Sequence, residues 1–310
     1  MKNPKLKSDI QQIYLGQIIE RERERERERE RIEYPSPTNG FSPSKRYPEY
    51  QFNTIQTSKE NHIYRLIRDG FYQLGFDKEN YGNESWNPLS QIIHPGDVVL
   101  IKPNMVKHCN AISQYGIECI VTHPSLVRAV IDYVLIALKG EGEIIVADAP
   151  VQECNFEIMK DKSGYTALFN YYKSQGIIIP CIDLRNYISI DSHGINIAQI
   201  KEKPNNATIV DMGDYSEFSN ISKQRYDNLR ITNYNPNSMK AHHHPHKNEY
   251  AIASTVLNAD VIINMPKPKT HRYAGLTLSM KNMVGINTNK DYLPHHPLPT
   301  IRRRCLPFQK

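Results

Sequence analysis

"GDVVLIKPN" (residues 96–104) is a continuous apolar run that ends in a polar loop, a pattern typical of a β-strand buried on both faces. "THPSLVRAVIDYVLIALKG" (122–140) follows and predicts a helix, with Thr122 as its N-cap, Pro124 in its first turn and Gly140 beyond its end. A buried strand followed by a helix is the repeating element of α/β domains, so we expect the same order elsewhere in the chain.

That order continues downstream. "GEIIVADAP" (142–150) predicts a second buried strand, "SGYTALFNYYKSQG" (163–176) a helix opened by Ser163, and "IIIPCIDL" (177–184) a third strand. "INIAQI" and "ATIVDM", between residues 195 and 212, predict shorter strands that are candidates for a hairpin.

Further helices are predicted on both sides of this region. "NHIYRLIRDGFYQLGFD" (61–77) spaces its apolar residues like one face of a helix. "NEYAIASTVLNADVIINMPKPKT" (248–270) repeats the order helix, strand and polar loop, and "AGLTLSMKNMVG" (274–285) predicts a helix closed by Gly285. The alternation predicts one α/β domain over residues 58–296, with a mostly parallel sheet and helices on both faces.

The first 57 residues have a different composition, which predicts a disordered, low-complexity segment. "ERERERERERER" (20–31) would place like charges at i,i+4 and opposite charges at i,i+3 in a helix, and these effects largely cancel. An isolated helix there would be marginal. "YPSPTNGFSPSKRYPEY" (34–50) is predicted to be a proline-rich linker.

Charge and composition exclude several classes of partner. The first ten and last ten residues together carry the whole formal net charge of +6, so the body of the chain is neutral and nucleic acid is not a predicted partner. The apolar runs are too short to cross a bilayer, so we predict no membrane partner. Neither CxxC pairs nor an even cysteine count is present, which indicates reduced thiols and a cytoplasmic protein. The cofactor stays unknown, because GxGxxG, Walker, GxSxG and HExxH signatures are all missing.

Polar loops follow three of the predicted strands, namely "KPN" (102–104), "DAP" (148–150) and "PKPKTHR" (266–272). Ligands of open parallel sheets bind outside the carboxyl ends of the strands, so these loops predict a site for an anionic small molecule. The candidate ligand-binding residues are Lys102, Asn104, Thr122, His123, Lys267, Lys269, Arg272, Lys281 and Asn282. The alternative is that these are solvated strand ends, with Asp148 capping the next element.

His271 and Asp148 are the candidate catalytic residues, as base and acid. A histidine beside lysines has its charged form disfavoured, which keeps it available as a base near neutral pH. Prolines next to the lysines hold them on stiff, extended backbone, which lowers the entropy lost when an anion binds.

A histidine cluster, "AHHHPHKNE" (241–249), provides weak metal-ligand candidates: His242, His243, His244 and His246. Adjacent histidines separated by proline do not readily converge on one ion. We therefore predict no metal site there.

Four motifs in order, "VVLIKPNMV", "THPSLVRAVIDYV", "IIVADAP" and "ADVIINMPKPKTHRYAGLTLSMKNMVGI", resemble the domain of unknown function 362 family over residues 94–296. The most specific of them is the lysine-rich "PKPKTH" that leads into "LSMKNMVG". The family's biochemical activity is not established, but some members carry a ferredoxin-type cluster domain. The resemblance thus suggests a redox partner protein, although this chain has no ferredoxin-type cysteine motif.

The resemblance also identifies a departure. Family domains continue past the "KNMVG" segment, whereas this chain passes into "PLPTIRRRCLPFQK" (297–310), which has no family-like pattern. We therefore expect a C-terminally truncated member with a non-family tail.

Together these observations predict a protein of the domain of unknown function 362 type that binds phosphate or carboxylate at the carboxyl ends of its strands. The alternatives are a non-catalytic accessory or redox-associated protein, and a fragment without independent activity. Whether the protein is an enzyme is left open by the sequence.

Overall fold

The structure is a computed structural model that describes residues 34–56, 60–110, 116–192, 195–200, 204–231, 236–271, 275–294 and 296–297. Its helices are α1 (His62–Gln73), α2 (Pro124–Leu138), α3 (Phe156–Ser163), α4 (Tyr165–Ser174), α5 (Lys223–Asp227), α6 (Pro236–His242), α7 (Ser254–Leu257) and α8 (Ser279–Asn282). Its strands are β1 (Val98–Pro103), β2 (Glu143–Asp148), β3 (Cys181–Asp183), β4 (Tyr187–Ser192), β5 (Ile195–Ile200), β6 (Ala207–Asp211), β7 (Leu229–Arg230), β8 (His243–His244), β9 (Lys247–Ala253), β10 (Val261–Met265), β11 (Lys269–His271), β12 (Gly275–Thr277) and β13 (His296–Pro297).

The described residues form two compact units where the sequence predicted one domain. Unit 1 takes its residues from within 34–95, 123–140 and 167–175. Unit 2 takes its residues from 96–122, 141–166 and 176 onward. Sequence periodicity predicts elements but not how they group, and the prediction of one α/β domain over residues 58–296 stays a prediction.

Unit 1 contains a buried polar network on α2. Arg128 donates to Asp132 one turn later, with 3.0 Å between Nε and Oδ2. Asp132 also accepts hydrogen bonds from Tyr64, at 2.9 Å, and Tyr172, at 2.6 Å. Because these partners satisfy the buried charges, the network can fix the packing of α1, α2 and α4 without leaving an unpaired ion.

The segment over residues 34–50, interpreted from its prolines as a linker, is packed within unit 1. Its aromatic residues Phe41, Tyr47 and Tyr50 are buried. Aromatic side chains bury large apolar areas and stabilise this segment despite its prolines. Residues 1–33 and Thr57 of the disordered segment predicted over 1–57 lie outside the described residues, as does the predicted 297–310 tail after Pro297.

Unit 2 is built on a four-stranded parallel sheet with the order β10-β1-β2-β3. The register pairs Val99 with Val261 and Val98 with Glu143. Leu100 of β1 and Ala147 of β2 are fully buried and belong to its hydrophobic core. This confirms the α/β class and the parallel sheet predicted from the apolar strands.

Three predicted helices are confirmed as α1, α2 and α4, but the starts of α2 and α4 differ from the prediction. His123, not Thr122, caps α2, because its Nδ1 accepts a hydrogen bond from the backbone of Ser125 at 3.3 Å. Ser163 ends α3, a helix that the sequence pattern did not predict, and does not open α4.

The helix predicted before the strand in 248–270 is limited to α7 (Ser254–Leu257), and the residues ahead of it are not helical. Residues 247–253 form β9, which pairs with β6 in antiparallel fashion, so that Ala251 faces Ile209. Burial by a sheet partner outweighs the helix propensity of the alanines. The candidate hairpin over 195–212 is also wrong, since β5 pairs with β4 and β6 pairs with β9.

The prediction of one continuous helix over 274–285 is wrong as well. Residues 275–277 form β12 and pair with β11, and the helical part is limited to α8 and a 3₁₀ turn over Met283–Ile286. Gly275 has φ of +71°, a left-handed conformation that does not continue into a helix.

Among the helices of the described residues, none has the length and apolar character needed to cross a membrane.

Candidate functional site

The carboxyl ends of three neighbouring strands of unit 2 meet at one edge of the sheet. β1 lies between β10 and β2, so the loops after Pro103, Asp148 and Met265 are adjacent. The structure thus brings together the three polar loops that the sequence singled out.

A fully buried ion pair lies at this edge. Lys102 Nζ is 2.6 Å from Asp148 Oδ1, and the two side chains are 0% and 5% exposed. Lys102 also donates to the carbonyl of Pro103, at 2.9 Å, and to Asn282 Oδ1, at 3.3 Å. The ammonium group therefore has three acceptors, as a buried charge requires.

Asp148 joins the loops that follow β1 and β2. Its Oδ2 accepts from the backbone of Met105 at 2.6 Å, and its Oδ1 accepts from the backbone of Ala149 at 2.9 Å. Together with Lys102, these donors hold the carboxylate at the base of the site.

The segment of α8 and its 3₁₀ turn closes over the ion pair. Asn282 Nδ2 donates to the carbonyl of Lys102 at 3.0 Å and to Asn264 Oδ1 at 2.7 Å, which ties α8 to β1 and β10. The carbonyl of Gly285 accepts from Ala149 N at 2.9 Å. A methyl group on Gly285 would collide with Asp148 Oδ1 and Lys102 Nζ, so this close approach requires glycine.

The β11–β12 hairpin brings two candidate residues to the same side. Side chains two residues apart on a strand share a face, and Lys269 and His271 are half-buried whereas Thr270 between them is exposed. The hydroxyl of Thr277, opposite Lys269 in the hairpin, donates to the Lys269 carbonyl at 3.2 Å.

These side chains line a cavity of about 350 Å³ in unit 2, which we call the lysine cavity. Its basic residues are Lys269, His271, Lys281 and Lys290. Its carboxylates are Asp148, already paired with Lys102, and Glu153. Val106, Val151, Val284 and Leu293 supply apolar surface.

The basic groups of the lysine cavity have lowered pKa values. Burial lowers the pKa of Lys269 to about 8, although Asp148 acts against it, and the neighbouring lysines add to the decrease. Burial also lowers the pKa of Lys290 to about 7. The pKa of His271 is lowered by burial and then by Lys281 and Lys269. Each shift shows that positive charge in the cavity is poorly solvated, a condition that a bound anion would relieve.

Lys290 was missed by the sequence reasoning. It follows the α8 segment in a polar stretch with no strand end before it, so no signal distinguished it from a solvated lysine. In the structure its side chain is 7% exposed and donates to the carbonyl of Ala149 at 2.8 Å.

Asn104 lines the lysine cavity, and Thr122 lies beside it. Lys269 Nζ donates to Asn104 Oδ1 at 3.1 Å, which connects Asn104 directly to a cavity lysine. Thr122 Oγ1 accepts from the backbone of Asn104 at 3.0 Å and donates to the carbonyl of Met265 at 2.8 Å, so it links the loops after β1 and β10.

The remaining candidates lie elsewhere. His123 belongs to unit 1, where its ring stacks on Tyr34 with 3.8 Å between the centroids. Lys267 is half-buried and is not part of the cavity lining. Its positive charge contributes to the lowered pKa of Lys269. Arg272 lies outside the described residues.

The histidine cluster does not converge on one point. His242 Nδ1 is 2.7 Å from Glu249, His243 Nε2 is 2.7 Å from the carbonyl of Tyr292, and His246 Nδ1 is 2.9 Å from Asp214. His244 Nδ1 lies 3.1 Å from the carbonyl of Pro245. Within the part of the chain that the structure describes, no three His, Cys, Asp or Glu side chains are placed to share a metal ion.

The family model described as Domain of unknown function (DUF362) matches residues 99–210 and 196–300. The matched region contains the ion pair and all of the basic residues of the lysine cavity. Searches of curated proteins and of solved structures found no match.

Proposed function

The chain belongs to the domain of unknown function (DUF362) family, and on that premise we propose that it binds a small anion, a phosphate or carboxylate compound, in the lysine cavity. One observation carries the proposal. Three lysines and a histidine line the cavity, while one of its two carboxylates is already neutralised by a buried lysine.

The charge balance favours an anion as the ligand. The lining contains three lysines, Lys269, Lys281 and Lys290. Its two carboxylates are Glu153 and Asp148, and Asp148 is paired with Lys102. Burial lowers the pKa of all three lysines, so their charged forms are poorly solvated in the cavity. An anion that entered the cavity would make charge-assisted hydrogen bonds with them.

The cavity has a size suited to a small metabolite. A volume of about 350 Å³ lies at the lower end of the range for ligand pockets, and apolar residues line it beside the lysines. The proposal holds for an enzyme and for an accessory binding protein alike, since the two differ in turnover and not in the binding step.

The test is calorimetric titration of the full chain with sulfate and with malonate, which keep a constant charge near neutral pH. Lys269→Gln and Lys281→Gln should each weaken binding about tenfold or more, because each removes a charged donor. Lys223→Gln, which changes an exposed lysine on α5 outside the cavity lining, is the matched control and should leave the affinity unchanged. The unfolding transition of each variant is measured to show that it is folded like the wild type. If all three folded variants bind sulfate and malonate with the same affinity, the proposal is overturned.

A further inference from the structure

The lysines of the site differ in the hydrogen-bond acceptors of their amino groups. Lys102 is fully buried, and its amino group has three acceptors, one of them the carboxylate of Asp148. Lys290 is 7% exposed and bonded to the carbonyl of Ala149. Lys269 is half-buried, lines the cavity and donates to a neutral amide, that of Asn104, at 3.1 Å.

The contact between Lys269 and Asn104 suits a neutral amine. An amide oxygen accepts one N–H of the amine and fixes its direction, and the nitrogen lone pair stays available for a second partner. A carboxylate in the same position would instead stabilise the ammonium form. Burial lowers the pKa of Lys269 to about 8, so a substantial fraction is neutral near physiological pH.

We propose that Lys269 condenses with the aldehyde or ketone group of a small anionic substrate, such as a 2-oxo acid or a phosphorylated aldehyde, and forms an imine in the lysine cavity. This inference rests on the proposed function, since the anionic group of the substrate is held by the other basic residues of the cavity. It adds the substrate class and a catalytic residue.

The step balances without an additional reactant. The Nζ lone pair of Lys269 attacks the carbonyl carbon, and the C=O π electrons move to oxygen, which takes a proton as the nitrogen loses one. The carbinolamine then loses its hydroxyl group with a proton as water, and the nitrogen lone pair forms the C=N bond. His271, on the same face of β11, is placed to take the proton from nitrogen and return it to the leaving hydroxyl.

Several charged groups set the proton affinity of Lys269. Those that face it or act on it are Lys102, Asp148, Lys267, Lys281, His271, Lys290 and Glu153. At a saturating concentration of aldehyde, imine formation by Lys269 is therefore expected to level off above about pH 8, whereas an ordinary surface lysine would continue to gain reactivity toward pH 10.

The test uses pyridoxal 5′-phosphate and glyoxylate as anionic aldehydes, with sodium borohydride to reduce the imine to a stable secondary amine. Peptide mass spectrometry of the full chain then locates the adduct. At pH 7.5 we expect Lys269 to react at least about tenfold faster than the exposed Lys223, because of its larger neutral fraction. Sulfate should slow the reaction at Lys269 and not at Lys223.

Lys269→Arg keeps the positive charge but cannot form an imine, so it should lose the adduct at this position and still bind sulfate. Lys223→Arg should keep the Lys269 adduct. If sulfate binds while Lys269 reacts no faster than Lys223, the imine proposal is overturned and anion binding stands. If Lys269 reacts rapidly but sulfate neither binds nor slows it, the proposed function is overturned and the nucleophilic lysine stands.

Discussion

Lys102 and Asp148 form an ion pair of 2.6 Å at the centre of the sheet edge, with side chains 0% and 5% exposed. Lys102 is the penultimate residue of β1 and Asp148 the last residue of β2, and both hold loops that border the lysine cavity. The pair is therefore a structural base for the cavity, and its removal should affect stability before it affects ligand chemistry.

Replacing one member of the pair should destabilise the protein strongly. Lys102→Met and Asp148→Asn should each lower the free energy of unfolding by about 3–5 kcal/mol, because each leaves a buried charge without its partner. The double variant should lose clearly less than the sum of the two. Urea unfolding of the four proteins in this cycle measures the coupling. Additive losses would contradict the prediction.

A partly exposed ion pair on α3 provides the control for that cycle. Lys160 Nζ lies 2.7 Å from Glu157 Oε2, and the two side chains are 18% and 76% exposed. Lys160→Met should change the free energy of unfolding by at most about 1 kcal/mol, since solvent screens such a pair.

Gly285→Ala should destabilise unit 2. The added methyl group would collide with Asp148 Oδ1 and Lys102 Nζ, and the well-packed segment must shift to admit it. We expect a loss of about 1–3 kcal/mol in urea unfolding, the range for overpacking in a core. Gly70→Ala is the matched control: its methyl group meets no atom within 4 Å in the middle of α1, and it should stabilise by about 0.5–1 kcal/mol. Equal effects of the two substitutions would refute a steric role for Gly285.

Sulfate affinity should fall as pH rises. Lys290 has a pKa of about 7 and Lys269 a pKa of about 8, and the anion binds their protonated forms, so binding raises both values and takes up protons. Affinity should be highest below pH 7 and decrease through pH 7 to 9, by up to about tenfold per pH unit for each proton taken up. Titrations in buffers of different ionisation enthalpy measure that uptake. An affinity independent of pH from 6 to 9 would exclude these lysines as ligands.

Lys290→Met should stabilise the protein at low pH. The pKa of Lys290 is about 7 in the folded protein and near 10.5 in an unfolded chain. The unfolded state therefore binds more protons between these values, and folding stability rises with pH there, by at most about 1.4 kcal/mol per unit. The cost of burying the charge is fully present below pH 7, so the variant should be the more stable protein at pH 6.

The advantage of Lys290→Met should shrink toward pH 10, where wild-type Lys290 is neutral and keeps its hydrogen bond to Ala149. Urea unfolding at pH 6, 7, 8 and 9 measures this. A constant difference across that range would show that Lys290 does not titrate as described.

The strand ends could be predicted from sequence because their signal is local. The apolar runs before Lys102 and Asp148 specify buried parallel strands, and the polar residues at their ends identify the edge where the cavity lies. Lys269 and His271 were likewise identified by their place after β10, and in the structure both side chains line the same cavity.

The parts that were not predicted depend on contacts between distant segments. β9 reads as a helix in isolation and becomes a strand only because β6 pairs with it. Gly285 was interpreted as a helix end, whereas its importance comes from the approach of Lys102 and Asp148. Lys290 lines the cavity because of the path of residues 283–292, which form only short 3₁₀ turns. Their sequence has no helix or strand periodicity from which that path could be predicted.

Asn282 bonds to Lys102 through both ends of its amide, across a sequence separation of 180 residues. Closing so long a loop costs chain entropy before the contact can stabilise anything, which makes such pairings slow steps in folding. During synthesis the lysine cavity therefore cannot form until residues beyond 282 have left the ribosome. Ligand added to a refolding reaction should bind only in the slowest phase, and the earlier intermediates should be insensitive to it.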